Sequence, residues 1–254
     1  MKSGSELKEW PKVGCCGFPT SLARYSKLFP VVEVQQTFYQ PPLPKTLERW
    51  RSQVPPRFEF TLKAWQLITH EASSPTYRWL REKLDERERR QAGAFRLNET
   101  VMMAWERTLK CAQILGSRRI LFQCPARFTP TPEHKSNLRS FFSEVRRRAK
   151  TGPNGELPTF LWEPRGEWQP EEVKELCGEL GLVHAVDPFE RLPVTSGLGY
   201  FRLHGKTGYR YKYTPADLRT LLGMARTYEP CYVLFNNIAM LEDARRFLKL
   251  VESS

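Results

Sequence analysis

Eight short apolar runs, each closed by a polar, glycine or proline residue, recur along this chain with helical patterns between them. That alternation limits the fold more than any other feature of the sequence. The runs are VGCCGF (13–18), VVEVQQTFY (31–39), FEFTLKA (58–64), RILFQCP (119–125), TFLWEPR (159–165), LVHAVDP (182–188), GYFRLHG (199–205) and CYVLFNN (231–237). Each has the length, the β-branched or aromatic content and the flanking breakers of a buried strand.

Helical patterns fill most of the gaps. Asn98 is placed to cap a helix reaching Leu115, with Val101, Trp105 and Leu109 on one face and Gly116 as its stop. Thr131-Pro132-Glu133 opens another, because proline is tolerated at the first helical position and glutamate suits the positive end. That helix turns Leu138, Phe141, Phe142 and Val145 inward and ends on Arg146, Arg147, Arg148 and Lys150. Gln169-Pro170-Glu171 and Thr214-Pro215-Ala216-Asp217 repeat the device, and residues 240–251 form the last helix. Strands alternating with helices over 254 residues predict a (β/α)8 TIM barrel, a fold of typically ~250 residues. One domain over residues 1–254 is expected, with a doubly wound open sheet as the fallback. Two irregularities stand out. FERLPVTSGL leaves no room for a helix between the sixth and seventh strands, and RWLREKLDERERRQAGAFR adds a charged helical insertion after the third.

Side chains alternate along a strand, so a barrel sends one set to the helices and the other to the lumen. The more apolar set faces the helices. By that parity Phe58, Phe60 and Leu62 point out and Glu59, Thr61 and Lys63 in. Val32 and Val34 point out, leaving Glu33, Gln35, Thr37 and Tyr39 inside. Phe160 and Trp162 oppose Glu163 and Arg165, while Phe201 and Leu203 oppose Arg202 and His204. Gln123, Asp187 and Asn236 or Asn237 complete a polar set at the C-terminal mouth, where TIM-barrel sites gather. Burying so many polar groups is costly unless they pair with one another or with a ligand. An internal pair of Glu33 with Arg202 would satisfy two of them. The rest predict a site, with Lys63, Glu163, Arg165, Asp187 and His204 as catalytic candidates.

The formal charge of +12 and pI near 9.6 favour polyanionic partners, nucleic acid first. After the seventh strand, KTGYRYKY supplies Lys206, Tyr209, Tyr211 and Tyr213: rings for stacking bases and cations for phosphates. The alternative there is a surface loop packing its tyrosines over the barrel. No apolar run approaches the ~18 residues of a membrane span. The start, MKSGSELKEWP, has no apolar signal core, so a cytoplasmic protein is expected. Six cysteines without CxxC spacing read as buried thiols, with Cys15 and Cys16 on opposite faces of their strand.

GCCGFP, VEVQQTFYQPP, FTLKAWQLITH, LFQCPARF, WEPRGEW, the Asp187 strand, YFRLHG and VLFNN, in this order, resemble the domain-of-unknown-function 72 family, also called YecE-like. The resemblance covers nearly the whole chain. It implies a TIM barrel related in architecture to endonuclease IV and the xylose isomerases, with an unassigned activity and a suggested nucleic-acid role. It further implies pocket positions at Glu33, Tyr39, Lys63, His70, Gln123, Glu163, Arg165, Asp187, Arg202, His204, Gly205 and Asn237. Two departures bear on specificity: Gln35 or Gln36 stands in VEVQQTFY where the family usually has asparagine, and GCCGF stands where it often reads GxSGW.

Three functions suit these residues. The first is a nuclease or repair-type phosphodiesterase, with Arg165, Arg202, Lys63 and Lys206 around a phosphate. One divalent ion (Mg2+, Mn2+ or Zn2+) on Glu163, Asp187 and His204 would assist it. With four histidines in all, His134 on a helix and His184 facing away from the lumen, a histidine-rich trinuclear zinc cluster is not expected. Without a metal, Glu163 or His204 would be the general base. The second is an isomerase or lyase of a sugar or sugar phosphate, using Glu163 and Lys63, the latter as a Schiff-base amine. The third is a non-catalytic nucleic-acid-binding module. A monomer is expected.

Overall fold

The computed structural model describes residues 11–150 and 157–254. The stretch MKSGSELKEW and the side chain of Lys150 lie outside the described residues. Eight parallel strands close into a barrel: β1 (Lys12–Cys16), β2 (Val31–Val34), β3 (Glu59–Lys63), β4 (Arg119–Gln123), β5 (Thr159–Glu163), β6 (Val183–Val186), β7 (Gly199–Leu203) and β8 (Cys231–Phe235). Each strand pairs with its sequence neighbours, and β8 closes on β1 with Val13 opposite Val233. Helices fill most crossovers, so the fold is a TIM barrel and the open-sheet fallback does not apply.

Two apolar layers follow the parity of the strands. Val32, Val34, Phe60, Leu62, Phe122, Phe160, Trp162, Phe201 and Leu203 pack outward against the helices. A smaller set, including Cys16, Val31, Leu121, Leu161, Ala185, Tyr200 and Leu234, fills the lumen. Hence Cys15 and Cys16 do face opposite sides, and all six cysteines are free and buried. Burying each large outward side chain contributes on the order of 2–3 kcal/mol, so the outer layer carries most of the fold.

The helix starts and stops act as their chemistry requires. Asn98 Oδ1 accepts from Val101 N at 3.0 Å ahead of the helix Glu99–Leu115. That helix ends at Gly116, in the left-handed region with φ 65°. Proline opens the helices Pro132–Lys150, Pro170–Leu180 and Pro215–Ala225. Met240–Glu252 is the last helix. No helix among the described residues is long and apolar enough to cross a membrane.

The sequence misleads in two places. β2 ends at Val34 and Gln36–Tyr39 is a helical turn, so strand parity does not extend to Thr37 and Tyr39. Thr37 Oγ1 instead bonds the carbonyls of Val34 and Lys63. The charged insertion after β3 is helical only over Glu86–Gln91, after a 3-10 turn at Pro75–Trp79. Its apolar end explains why. Gly93, Ala94 and Phe95 turn left-handed, with φ 87°, 54° and 54°, and clasp the segment after β3 through Gly93 N to Leu67 O and Phe95 N to Ile68 O. The reward is a fully buried Phe95 ring, within 6.0 Å of Phe122, Phe128, Phe141 and Phe142. Between β6 and β7 the chain runs without a helix, as expected. That strap covers His184, whose Nδ1 accepts from Val194 N at 3.2 Å on the outer side of the barrel.

Candidate functional site at the barrel mouth

The C-terminal ends of β2 to β7 bring a chain of alternating charges into the upper lumen. Arg202, fully buried, is its centre. Its Nε donates to both Glu33 oxygens at 3.1 Å, and Nη2 donates to Glu33 Oε1 at 2.8 Å. Nη1 reaches Glu163 Oε2 at 2.5 Å and Gln123 Oε1 at 3.4 Å. Tyr200 OH donates to Glu33 Oε2 at 2.8 Å, and Gln35 Nε2 also bonds Glu33. Every oxygen of Glu33 is therefore taken, which is what a carboxylate needs in a dry interior. Glu33 is a structural counterion.

Glu163 bridges this core to the rim. Its Oε1 accepts from Arg165 Nε at 2.8 Å. Burial alone would raise its pKa, but the Arg202 and Arg165 guanidiniums outweigh that and hold it at about 2. A carboxylate so firmly ionised and so fully engaged is a poor general base. Arg165 Nη2 also donates to His204 Nε2 at 2.6 Å. Guanidinium groups only donate, so Nε2 is the accepting nitrogen and the ring proton sits on Nδ1, 3.7 Å from Asp187 Oδ2. Asp187 is fixed in turn by the backbone N–H groups of His204 and Phe189, at 2.8 and 3.0 Å. Glu163, Arg165, Asp187 and His204 line a cavity of about 150 Å³ with Glu190 and Arg191 of the strap.

The proposed metal triad does not form a cation site. Both Glu163 oxygens and His204 Nε2 already accept from arginines, and both Asp187 oxygens accept backbone N–H groups. No group of three or more His, Cys, Asp or Glu among the described residues could hold one.

Lys63 differs from all its neighbours. It is buried at the end of β3 and its side chain makes no hydrogen bond or ion pair among the described residues; its Nζ lies 3.6 Å from the Phe38 ring centroid. Burial, reinforced by Arg202, lowers its pKa to about 7 despite Glu163 and Glu33. His70 stands edge-to-face with the same ring at 4.9 Å. Burial and the nearby Lys63 hold His70 down to about 3, so it is a neutral imidazole bonded through Nδ1 to Thr69 Oγ1 at 2.7 Å.

The remaining candidates separate from this centre. Tyr39 is half-buried on the turn after β2, its carbonyl accepting from Gln66 Nε2. Asn236 is half-buried, its backbone N–H bonded to Leu203 O. Asn237 is buried outside the lumen, donating to Tyr211 O and Asp243 Oδ2, both at 2.7 Å. The loop after β7 is likewise tied down. Lys206 pairs with Asp217 Oδ1 at 2.9 Å, Tyr211 OH donates to Asp217 Oδ2 at 2.7 Å, and Tyr213 is buried with its OH accepting from Gly205 N. Gly205 is obligatory there: at φ +91°, a Cβ would meet Gly208 O at 2.3 Å. Of the three loop tyrosines, Tyr209 alone is largely exposed, at 57%. The expected stacking platform is thus a folded brace, and the surface-loop alternative describes it better. Tyr200, Phe38, Glu190 and Arg191 went unnoticed in the sequence. Tyr200 shares Arg202's parity and was findable, whereas Phe38 lies beyond the end of β2, where alternation fails.

Comparisons with known proteins bear on the whole chain. A comparison with curated proteins returns no match. Among solved structures, a DUF72 family protein from Enterococcus faecalis V583 is 22% identical, with TM-score 0.70 over 96% of this chain and 98% of that one. One from Thermotoga maritima MSB8 is 19% identical, with TM-score 0.62 over 95% and 98%. D-psicose 3-epimerase, crystallised with D-fructose, shares the barrel at 14% identity and TM-score 0.55, over 90% of each chain. The family model described as "Protein of unknown function DUF72" matches residues 11–254, and the chain belongs to that family.

Proposed function

We propose that this chain is an enzyme acting on a small carbonyl compound, a sugar or sugar phosphate, with the Lys63 amine as its reactive group. One observation carries this reading: Lys63 is the single buried charged side chain without an ionic or hydrogen-bonding partner among the described residues. With its pKa lowered to about 7, a large fraction is the free amine at neutral pH. That amine adds to a substrate carbonyl, water leaves carrying the carbonyl oxygen, and the protonated imine becomes the electron sink for cleavage or proton transfer at the adjacent carbon. Arg191, exposed at the mouth cavity, suits the anionic end of the substrate. The free cysteines suit a reducing compartment such as the cytoplasm.

A nucleic-acid phosphodiester, whether cleaved or only bound, is the second reading, supported by the net charge of +12. It has lost Lys206 and Tyr211 as ligand groups, since Asp217 holds both. The test is borohydride reduction with a panel of aldoses, ketoses and their phosphates, followed by peptide mass spectrometry. A stable adduct at residue 63 is expected in the wild type and is absent in Lys63→Met. Labelling confined to surface lysines rejects the amine chemistry. If short DNA or RNA then binds with steep salt dependence, the phosphodiester reading replaces it.

A further inference from the structure

A groove of about 1070 Å³ runs along the outside of the barrel between the helices Pro44–Ser52 and Glu99–Leu115. Pro41, Pro42, Leu47 and Ile114 line it, and the side chains at its edges are apolar yet exposed: Leu43 at 74% and Trp79 at 58%. Large apolar side chains held in water around a concave floor mark an interaction surface. The lip is cationic. Glu82, its one acid, is already taken by Arg107 Nη1 at 2.6 Å and Gln40 Nε2 at 2.9 Å. Arg81 and Lys110 are exposed on the same lip, and neither side chain has an acidic partner among the described residues. The Gln40–Glu82–Arg107 lock keeps the wall in place without a ligand, so the groove is preformed.

We propose that this groove docks an acidic peptide segment of a partner protein, its apolar side chains against Leu43, Trp50 and Trp79 and its carboxylates on Arg81 and Lys110. The charge decides the sign of the partner, and the spacing of the cations decides its class. The rings of Tyr39, Trp50 and Trp79 could stack bases as well as apolar side chains, but two free cations on one lip do not trace a phosphate backbone. A peptide with a few anchors and scattered carboxylates needs no more than this surface presents. The proposal is independent of the chemistry at Lys63.

The test uses the whole chain and a set of fluorescein-labelled 12-residue peptides carrying Leu, Phe and Trp at i, i+3, i+4 spacing among Asp and Glu. The same peptides with Lys in place of every acid are the control. Anisotropy should show binding of acidic peptides in the micromolar range and at least tenfold weaker binding of the Lys versions. Affinity should fall at least tenfold in Arg81→Glu/Lys110→Glu and again in Leu43→Ser/Trp79→Ala, all at exposed positions where folding is retained. Equal binding by wild type and both variants overturns the proposal. So does displacement of the peptides by single-stranded DNA with the same dependence on Arg81 and Lys110, or self-association that Leu43→Ser/Trp79→Ala abolishes.

Discussion

The two ends of the barrel carry similar side chains and do different things. At the N-terminal end Glu59 takes Lys12 Nζ at 2.5 Å, Arg119 Nη1 at 3.3 Å and Tyr232 OH at 2.6 Å, and the Arg119 guanidinium lies over the Tyr232 ring at 4.3 Å. Burial would raise the Glu59 pKa, but Lys12 and Tyr232 bring it below the ordinary value. Each charged side chain there has an ionic partner. At the C-terminal end the Glu33–Arg202–Glu163–Arg165 chain is just as well paired, but Lys63 stands beside it unpaired and a cavity opens in front of His204. Ion pairs in a lumen are therefore no sign of function by themselves. What sets the two ends apart is the unpaired Lys63 side chain.

The largest effect should come from Arg202→Met, which strands Glu33 as an uncompensated buried carboxylate and leaves Glu163 with Arg165 alone. A loss of about 3–5 kcal/mol by urea denaturation is expected; a loss below ~1 kcal/mol would mean the network is no tighter than a surface pair.

Lys63→Met should act in the opposite direction. The unfolded lysine titrates near ~10.4, whereas the folded one is at about 7. Between those values the unfolded chain binds the extra proton, so this group's penalty is complete below pH 7 and disappears as pH rises towards 10. The variant should be more stable than wild type by on the order of a few kcal/mol at pH 6, with the gap closing by pH 10. A constant gap across that range would mean Lys63 is not desolvated.

Glu59→Gln should have the smallest effect, about 1 kcal/mol, because its side chain is 28% exposed and its ion pairs are screened. Borohydride labelling at residue 63 should be unchanged in it. A change there would tie the two ends together and break the contrast.

The barrel and its lumen-facing groups were legible because outward positions such as Phe60, Trp162 and Phe201 are apolar enough to fix parity, and parity then places Lys63, Glu163 and Arg202. What stayed hidden was pairing. KTGYRYKY reads as free cations and rings because its partners, Asp217 and Asp243, arrive on helices up to thirty residues downstream. The same holds for Asn237, recruited by Asp243. Short-range turns were the other blind spot. Gln36–Tyr39 carries β-like residues, yet folds as a helical turn that brings Phe38 onto Lys63. The left-handed Ala94 and Phe95 have no local signal beyond Gly93, since only the distant aromatic cluster justifies their backbone.

The strap from Pro188 to Leu198 replaces a helix with irregular backbone and contributes Glu190 and Arg191 to the mouth. Neither the strand register nor the helix ring dictates how many residues it contains. Insertions and deletions at this point would re-cut the doorway while leaving the load on the eight staves of the cask unchanged.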